Sequence, residues 1–257
     1  MEARFLTSHP TASFQDNKSK KKTLYIMNLL SMTDLENLRL LHPKILHMVL
    51  YGARAARKDL LRAVNNLARF INRWTIESDI KLKRLMDYIY STFSWREINW
   101  IGDDIEALSL DLFPDADFGG CQATSKSTSG CYQCLAGPNT RFGLSGLSKA
   151  QSVVSHSTPE AEIVAADFGL RTVGLPSLTL WKTLIGWKRK EVIITVHDDN
   201  AAMIQVMRTG KNPTMRGLGN THGVSINRLK EAFDESWNDL VKEDTNTMAG
   251  DIFTKSI

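Results

Sequence analysis

The acids of this chain that can do chemistry lie at the ends of regular elements. Asp115 and Asp117 follow an apolar run in which Leu108, Leu110 and Leu112 alternate as a β-strand does. Glu160 and Glu162 fall in the first turn of a helix announced by Ser157-Thr-Pro. Asp198 and Asp199 end a β-branched run, and Asp251 stands near the start of a last short helix. Strand ends are where α/β folds present reactive groups, and carboxylates gathered there hold hard divalent cations. Taken singly, each acid is only a solvated turn. Four converging acids would repel one another unless cations neutralised them, and the natural occupants are two Mg²⁺ ions, with Mn²⁺ as a substitute.

The elements that must position these acids follow from hydrophobic period and turn residues. Strands are expected at 108–113, 130–136, 140–144 and 152–155, joined by short Gly/Ser/Thr-rich loops as an antiparallel meander. Thr158 is the expected cap of the next helix, with Pro159 at its first position and Ile163, Ala166 and Leu170 on its apolar face. Pro176 should kink or restart that helix before Leu180, Trp181 and Leu184. The run 191–197 predicts a strand buried on both faces. Helices at 201–207 and 221–233, a short strand at 240–241 and a helix at 248–255 complete the order. Such an order of elements makes an α/β domain with a mixed sheet.

The N-terminal part reads differently. Residues 1–42 read as a basic, poorly ordered leader, polar over Ser13 to Thr23 with the run Lys18-Ser-Lys-Lys-Lys22, and a short helix is expected over the more apolar 24–41. From Pro43, placed at a first turn, Ile45, Val49, Gly52, Ala56, Leu60, Ala63, Leu67 and Phe70 recur at helical steps. Ser78 is the expected cap of a second helix, with Leu82, Leu85, Ile89 and Phe93 as its stripe.

The 257 residues are 42% hydrophobic and 23% charged, enough apolar material for a core, and the net charge of +4 is compatible with a polyanionic partner. The three cysteines build no disulfide framework, and Cys131-Tyr-Gln-Cys134 lacks the second pair of a zinc site. With no run of eighteen apolar residues and no apolar leader, the expected location is the cytosol or nucleus, with no membrane partner.

Five words occur in order: Asp115-Ala-Asp-Phe-Gly-Gly, Lys126-Ser-Thr-Ser-Gly130, Ser157-Thr-Pro-Glu-Ala-Glu162, Asp199-Asn-Ala-Ala-Met203 and Asp251-Ile-Phe-Thr-Lys255. They resemble the ribonuclease H domain at the C-terminal end of Ty1/copia-type retrotransposon Pol polyproteins, over about 108–257. The helical words Asp59-Leu-Leu-Arg-Ala-Val64 and Leu85-Met-Asp-Tyr-Ile-Tyr-Ser-Thr92 resemble the end of the preceding reverse transcriptase, which gives 43–107. The polymerase palm with its paired aspartates has no counterpart.

The resemblance implies a ribonuclease H-like mixed five-stranded sheet flanked by helices and preceded by a helical segment. It also implies Mg²⁺-dependent cleavage of the RNA strand of an RNA–DNA hybrid during reverse transcription. Asp115, Glu162, Asp199 and Asp251 match the family's metal ligands, which are also its catalytic residues. Asp117 then supports the loop, and His222 matches a histidine of structural role. The implied partners are the hybrid and the rest of Pol, including the reverse transcriptase and integrase.

Several residues depart from the family's words. Pro114 precedes Asp115 and cannot donate to a sheet ladder. Pro159 is inserted into the helix word, and Gly250 replaces an alanine, which weakens a helix. Lys242-Glu-Asp-Thr occupies the place of the loop histidine of many ribonucleases H. None removes a ligand. Together they keep open a second reading, a catalytically decayed fragment that folds and at most binds nucleic acid.

Overall fold

A computed structural model describes residues 35–185, 192–212, 215 and 217–255. The Lys18–Lys22 run, most of the 1–42 leader and the first residue of the 191–197 run lie outside the described residues. The chain divides between Ile98 and Asn99 into two compact units.

The first unit is helical: α1 (Leu35–Ala55), α2 (Leu61–Ala68) and α3 (Ile76–Ser91). Ile45, Leu46, Ala53, Leu60, Val64, Leu67, Leu82, Leu85 and Met86 are buried. Pro43 lies inside α1, not at a first turn, because the helix has already started at Leu35. The stripe expected to run on to Phe70 is interrupted at Arg57, whose φ of −129° and ψ of 65° leave the helical region. There the Arg57 guanidinium grips buried Asp59 through Nε–Oδ1 (2.9 Å) and Nη2–Oδ2 (2.7 Å). It also donates to the Thr92 carbonyl (3.1 Å) and hydroxyl (2.8 Å), tying the break to the end of α3. Thr75 caps α3, and Ser78 accepts from the Thr75 N–H at 3.4 Å as the other half of a capping box. Ser78 is thus one turn inside the helix it was expected to open.

The second unit is built on a five-stranded sheet. The strands are β1 (Ser109–Asp117), β2 (Thr128–Gly137), β3 (Thr140–Ala150), β4 (Ile194–Asp198) and β5 (Asn238–Lys242). Their spatial order is β3-β2-β1-β4-β5. β1, β2 and β3 pair antiparallel, whereas β4 runs parallel to both β1 and β5. The mixed five-stranded sheet flanked by helices is therefore present. No strand forms at 152–155. β3 instead runs on to Ala150, and the Gln151 N–H closes onto the Ser127 carbonyl at 2.8 Å.

Helices α4 (Thr158–Gly169), α5 (Leu175–Ile185), α6 (Ala201–Thr209), α7 (Leu218–Thr221) and α8 (Ile226–Asp234) complete the unit. Leu110 and Leu112 of β1, Ile194 and Val196 of β4, Ile163 of α4 and Met203 and Met207 of α6 share one core. α4 and α5 are joined without a break through a wide π-type turn over Leu170–Gly174, and Pro176, which has no N–H for an intrahelical bond, follows two residues after it. The stretch Thr158–Leu184 is long and apolar enough by composition to cross a membrane. In this fold that apolar character serves the core, through Ile163, Ala166, Leu170 and Leu178. β4 is buried on one face only. Its other face carries Thr195 and His197, which are half-buried. The 248–255 helix is reduced to a 3₁₀ turn, Ala249–Phe253.

Candidate active site

β1 outruns its parallel neighbour. Its ladder with β4 covers only Leu110–Leu112, whereas its pairing with β2 continues through Asp117. The Leu110 N–H donates towards β4, to the Ile193 carbonyl. By strand alternation the N–H positions of residues 114 and 116 face the same side, where β4 is no longer paired. Pro114 therefore removes no ladder bond, and the strand passes through it to present Asp115. The Ala116 N–H, free for the same reason, donates to the Glu162 carboxylate.

Glu162 is placed by α4. Ser157, and not Thr158, is the cap, its hydroxyl accepting from the Glu160 N–H at 3.3 Å, with Pro159 in the first turn. Glu160 turns back, accepting from the His156 N–H (3.1 Å) and meeting His222 Nε2 (3.4 Å), so it braces the loop before α8. Glu162 faces the end of the sheet, where Asp115, Asp198 and Asp199 are its charged neighbours. Asp198 is fully buried. Its Oδ1 accepts from the Asn200 N–H at 2.8 Å, and its Oδ2 has no hydrogen-bond partner among the described residues. Asp199 follows in the turn, and Asn200 caps α6 by accepting from the Ala202 and Met203 N–H groups, both at 3.1 Å.

The fourth acid arrives from the C-terminal side. The 3₁₀ turn lies against β1 and β2 so closely that a methyl on Gly250 would sit 2.6 Å from the Phe113 carbonyl oxygen and 2.8 Å from Asp115 Cβ. On the facing strand, a methyl on Gly130 would meet Phe253 Cβ at 2.9 Å. Gly250 thus permits the contact. The turn delivers the Thr254 hydroxyl to Asp115, and Lys255 donates to Asp251. Asp115 and Asp251 interact electrostatically, as do Asp115 and Asp199.

Burial dominates the charge balance. It pushes the Asp115 carboxyl up to about 6, opposed by the Thr254 hydroxyl and reinforced by Asp251 and Asp199. Burial together with Asp115, Asp198 and Asp199 pushes Glu162 up to about 10. Asp198 rises to about 8, again chiefly through burial. These are carboxylates held together without enough positive charge.

Every donor here is a hard oxygen, and one buried carboxylate oxygen has no partner, so the chemistry of the site fits Mg²⁺ or Mn²⁺. The side chains are engaged otherwise as they stand. Asp115 is taken by Thr254 and Asp251 by Lys255, and among the described residues no three His, Cys, Asp or Glu side chains converge tightly enough to grip an ion. The four sequence candidates are electrostatic neighbours, not a preformed ligand cage.

Asp198 is named from the sequence with Asp199, but the Asp-Asp pair hides which of the two is the buried one. The parts of Thr254 and Lys255 are missed, since they lie three and four residues after Asp251, a spacing that brings them back to it only once a turn forms.

No family model matches the sequence, and no curated protein matches it. Among solved structures the chain is similar to LC11-RNase H1 in complex with an RNA/DNA hybrid, at 14% identity over 57% of this chain and 94% of that one, with a TM-score of 0.36. The strand order β3-β2-β1-β4-β5, with β1 to β3 antiparallel and β4 parallel to β1 and β5, is what makes the fold ribonuclease H-like. RNase H1 from Halobacterium salinarum is 10% identical over 57% of this chain and 94% of its own, with a TM-score of 0.35. The foamy viral protease-reverse transcriptase in complex with dsDNA is 9% identical over 89% of this chain and 41% of its own, with a TM-score of 0.42. Likenesses of this size carry no chemistry.

Proposed function

We propose that the chain is a ribonuclease H of Ty1/copia-type retroelement origin, cleaving the RNA strand of RNA–DNA hybrids during reverse transcription. The supporting observation is that Asp115, Glu162, Asp199 and Asp251 are electrostatic neighbours at one end of a mixed sheet. These four would hold divalent cations. Bound there, such ions supply an activated water and stabilise the leaving 3′ oxygen. The chain's own groups orient the acids: Thr254 fixes one oxygen of Asp115, and the Ala116 N–H fixes Glu162. The hybrid is read through 2′-hydroxyl and backbone contacts, not through bases. The retroelement origin also places the rest of Pol among its partners and the protein in the cytosol or nucleus.

The test is cleavage of a labelled RNA–DNA hybrid in Mg²⁺ or Mn²⁺, abolished by EDTA and by Asp199→Asn. Folded protein that leaves the hybrid intact with both ions overturns the proposal. A second reading, a fragment that binds nucleic acid without turnover, is favoured by the engagement of Asp115 and Asp251 with Thr254 and Lys255. Hybrid binding with no product would select it.

A further inference from the structure

Five carboxylates meet at the end of the sheet, and the cation among them belongs to the chain itself. Lys255 donates to Asp251, and its ammonium also interacts with Asp115 and Asp199. It is delivered by the fold, since the turn that carries it is pressed onto β1 at Gly250. The partners differ in mobility. Thr254 is fully buried on Asp115, whereas the Lys255 side chain is 63% exposed and that of Asp251 26%. An exposed lysine can swing out at little cost.

We propose that Lys255 is the resident countercharge of this site, held on Asp251 in the cation-free protein and displaced when a divalent cation takes Asp251. This inference rests on the metal-site reading above and adds that ion loading and the Lys255–Asp251 pair exclude each other. The lone pairs that Lys255 occupies are among those an ion needs, and its charge opposes an incoming cation. Lys255 is a positioning residue: it acts through Asp251 and sets how readily the acid cluster loads. It also links the two readings of function, because a site with acids already engaged is a site waiting for ions.

The experiment is calorimetric titration of MnCl₂ into the wild-type chain, Lys255→Met and Lys255→Arg, independent of any nuclease assay. Removing the charge should tighten Mn²⁺ binding by about fivefold, the upper range for an exposed ion pair, while arginine leaves affinity near wild type. Combined with Asp251→Asn, the Lys255→Met gain should vanish. Equal Mn²⁺ affinity in wild type and Lys255→Met, or an equal gain in Lys255→Arg, overturns the proposal while leaving the metal site intact. No Mn²⁺ binding by any of the variants overturns the metal-site reading and this proposal with it.

Discussion

At the residue scale the raised carboxyls set how stability depends on pH. An acid that stays neutral in the fold and ionises in the unfolded chain makes the fold bind more protons, so stability falls as pH rises between the two pKa values. For Asp115 that window runs from its ordinary value up to about 6, for Asp198 up to about 8 and for Glu162 up to about 10. Each pH unit in such a window is worth about 1.4 kcal/mol per acid before relaxation and water entry reduce it. Urea denaturation in EDTA should therefore show the protein losing at least ~2 kcal/mol between pH 5 and pH 8. Glu162→Gln should flatten that slope, because glutamine has no proton to lose. A flat profile in the wild-type protein would sink the electrostatic picture of the site. The acids were legible in sequence because each closes or opens an element whose period is plain. Their side-chain engagement was not, since the pairing of Thr254 with Asp115 joins residues far apart in the chain.

At the scale of elements, the C-terminal turn and the open face of the sheet carry the consequences. Gly250, read from sequence as a weakened helix, sits where β1 leaves no room for a Cβ. Gly250→Ala restores the residue of the resembling family, yet should lower stability by about 1–3 kcal/mol through overpacking, with a fall in thermal midpoint as the readout. On the open face, His197 of β4 bridges Asp111 of β1 (Nε2–Oδ2 3.2 Å) and Glu243 beyond β5 (Nδ1–Oε2 2.9 Å), with its ring stacked on Phe113 at 4.3 Å. Burial opposes its charge, but the two carboxylates outweigh burial and raise its pKa. The stabilisation is therefore complete below the unfolded value of about 6.5 and fades as pH rises through the folded one. His197→Gln should cost about 1–2 kcal/mol at pH 5.5 and clearly less at pH 9, read from denaturant midpoints. The alternating leucines of β1 and the Ser-Thr-Pro start of α4 were legible because period and capping are local. The break at Arg57 was not, because a distant Thr92 holds it, whereas the π-type turn at Leu170–Gly174 lies just before Pro176, the residue from which a departure from regular helix is expected.

At the scale of the whole molecule, each unit owns a core. The helical unit buries Leu61, Val64, Leu82 and Leu85, and the sheet unit buries Leu110, Leu112, Ile163, Ile194 and Met203. The second unit, Asn99–Ile257, contains every strand, the acids and the turn that brings Asp251 and Lys255 to them. Nothing in that inventory of core, sheet and acids is drawn from the helical unit. Residues 99–257 expressed alone should thus unfold in one cooperative transition, as a domain of that length does. If Asp115, Glu162, Asp199 and Asp251 hold ions, the fragment should also gain about 2.7 kcal/mol when the free ion reaches a hundred times its dissociation constant. At one fixed ion concentration the gain should be largest at the alkaline end of the pH range, where the carboxylates are ionised and the dissociation constant is lowest. A fragment that folds but gains nothing from Mg²⁺ or Mn²⁺ at pH 8 would separate fold from site and leave the acids without an ion to hold. A fragment that fails to fold would show that the sheet needs residues before Asn99.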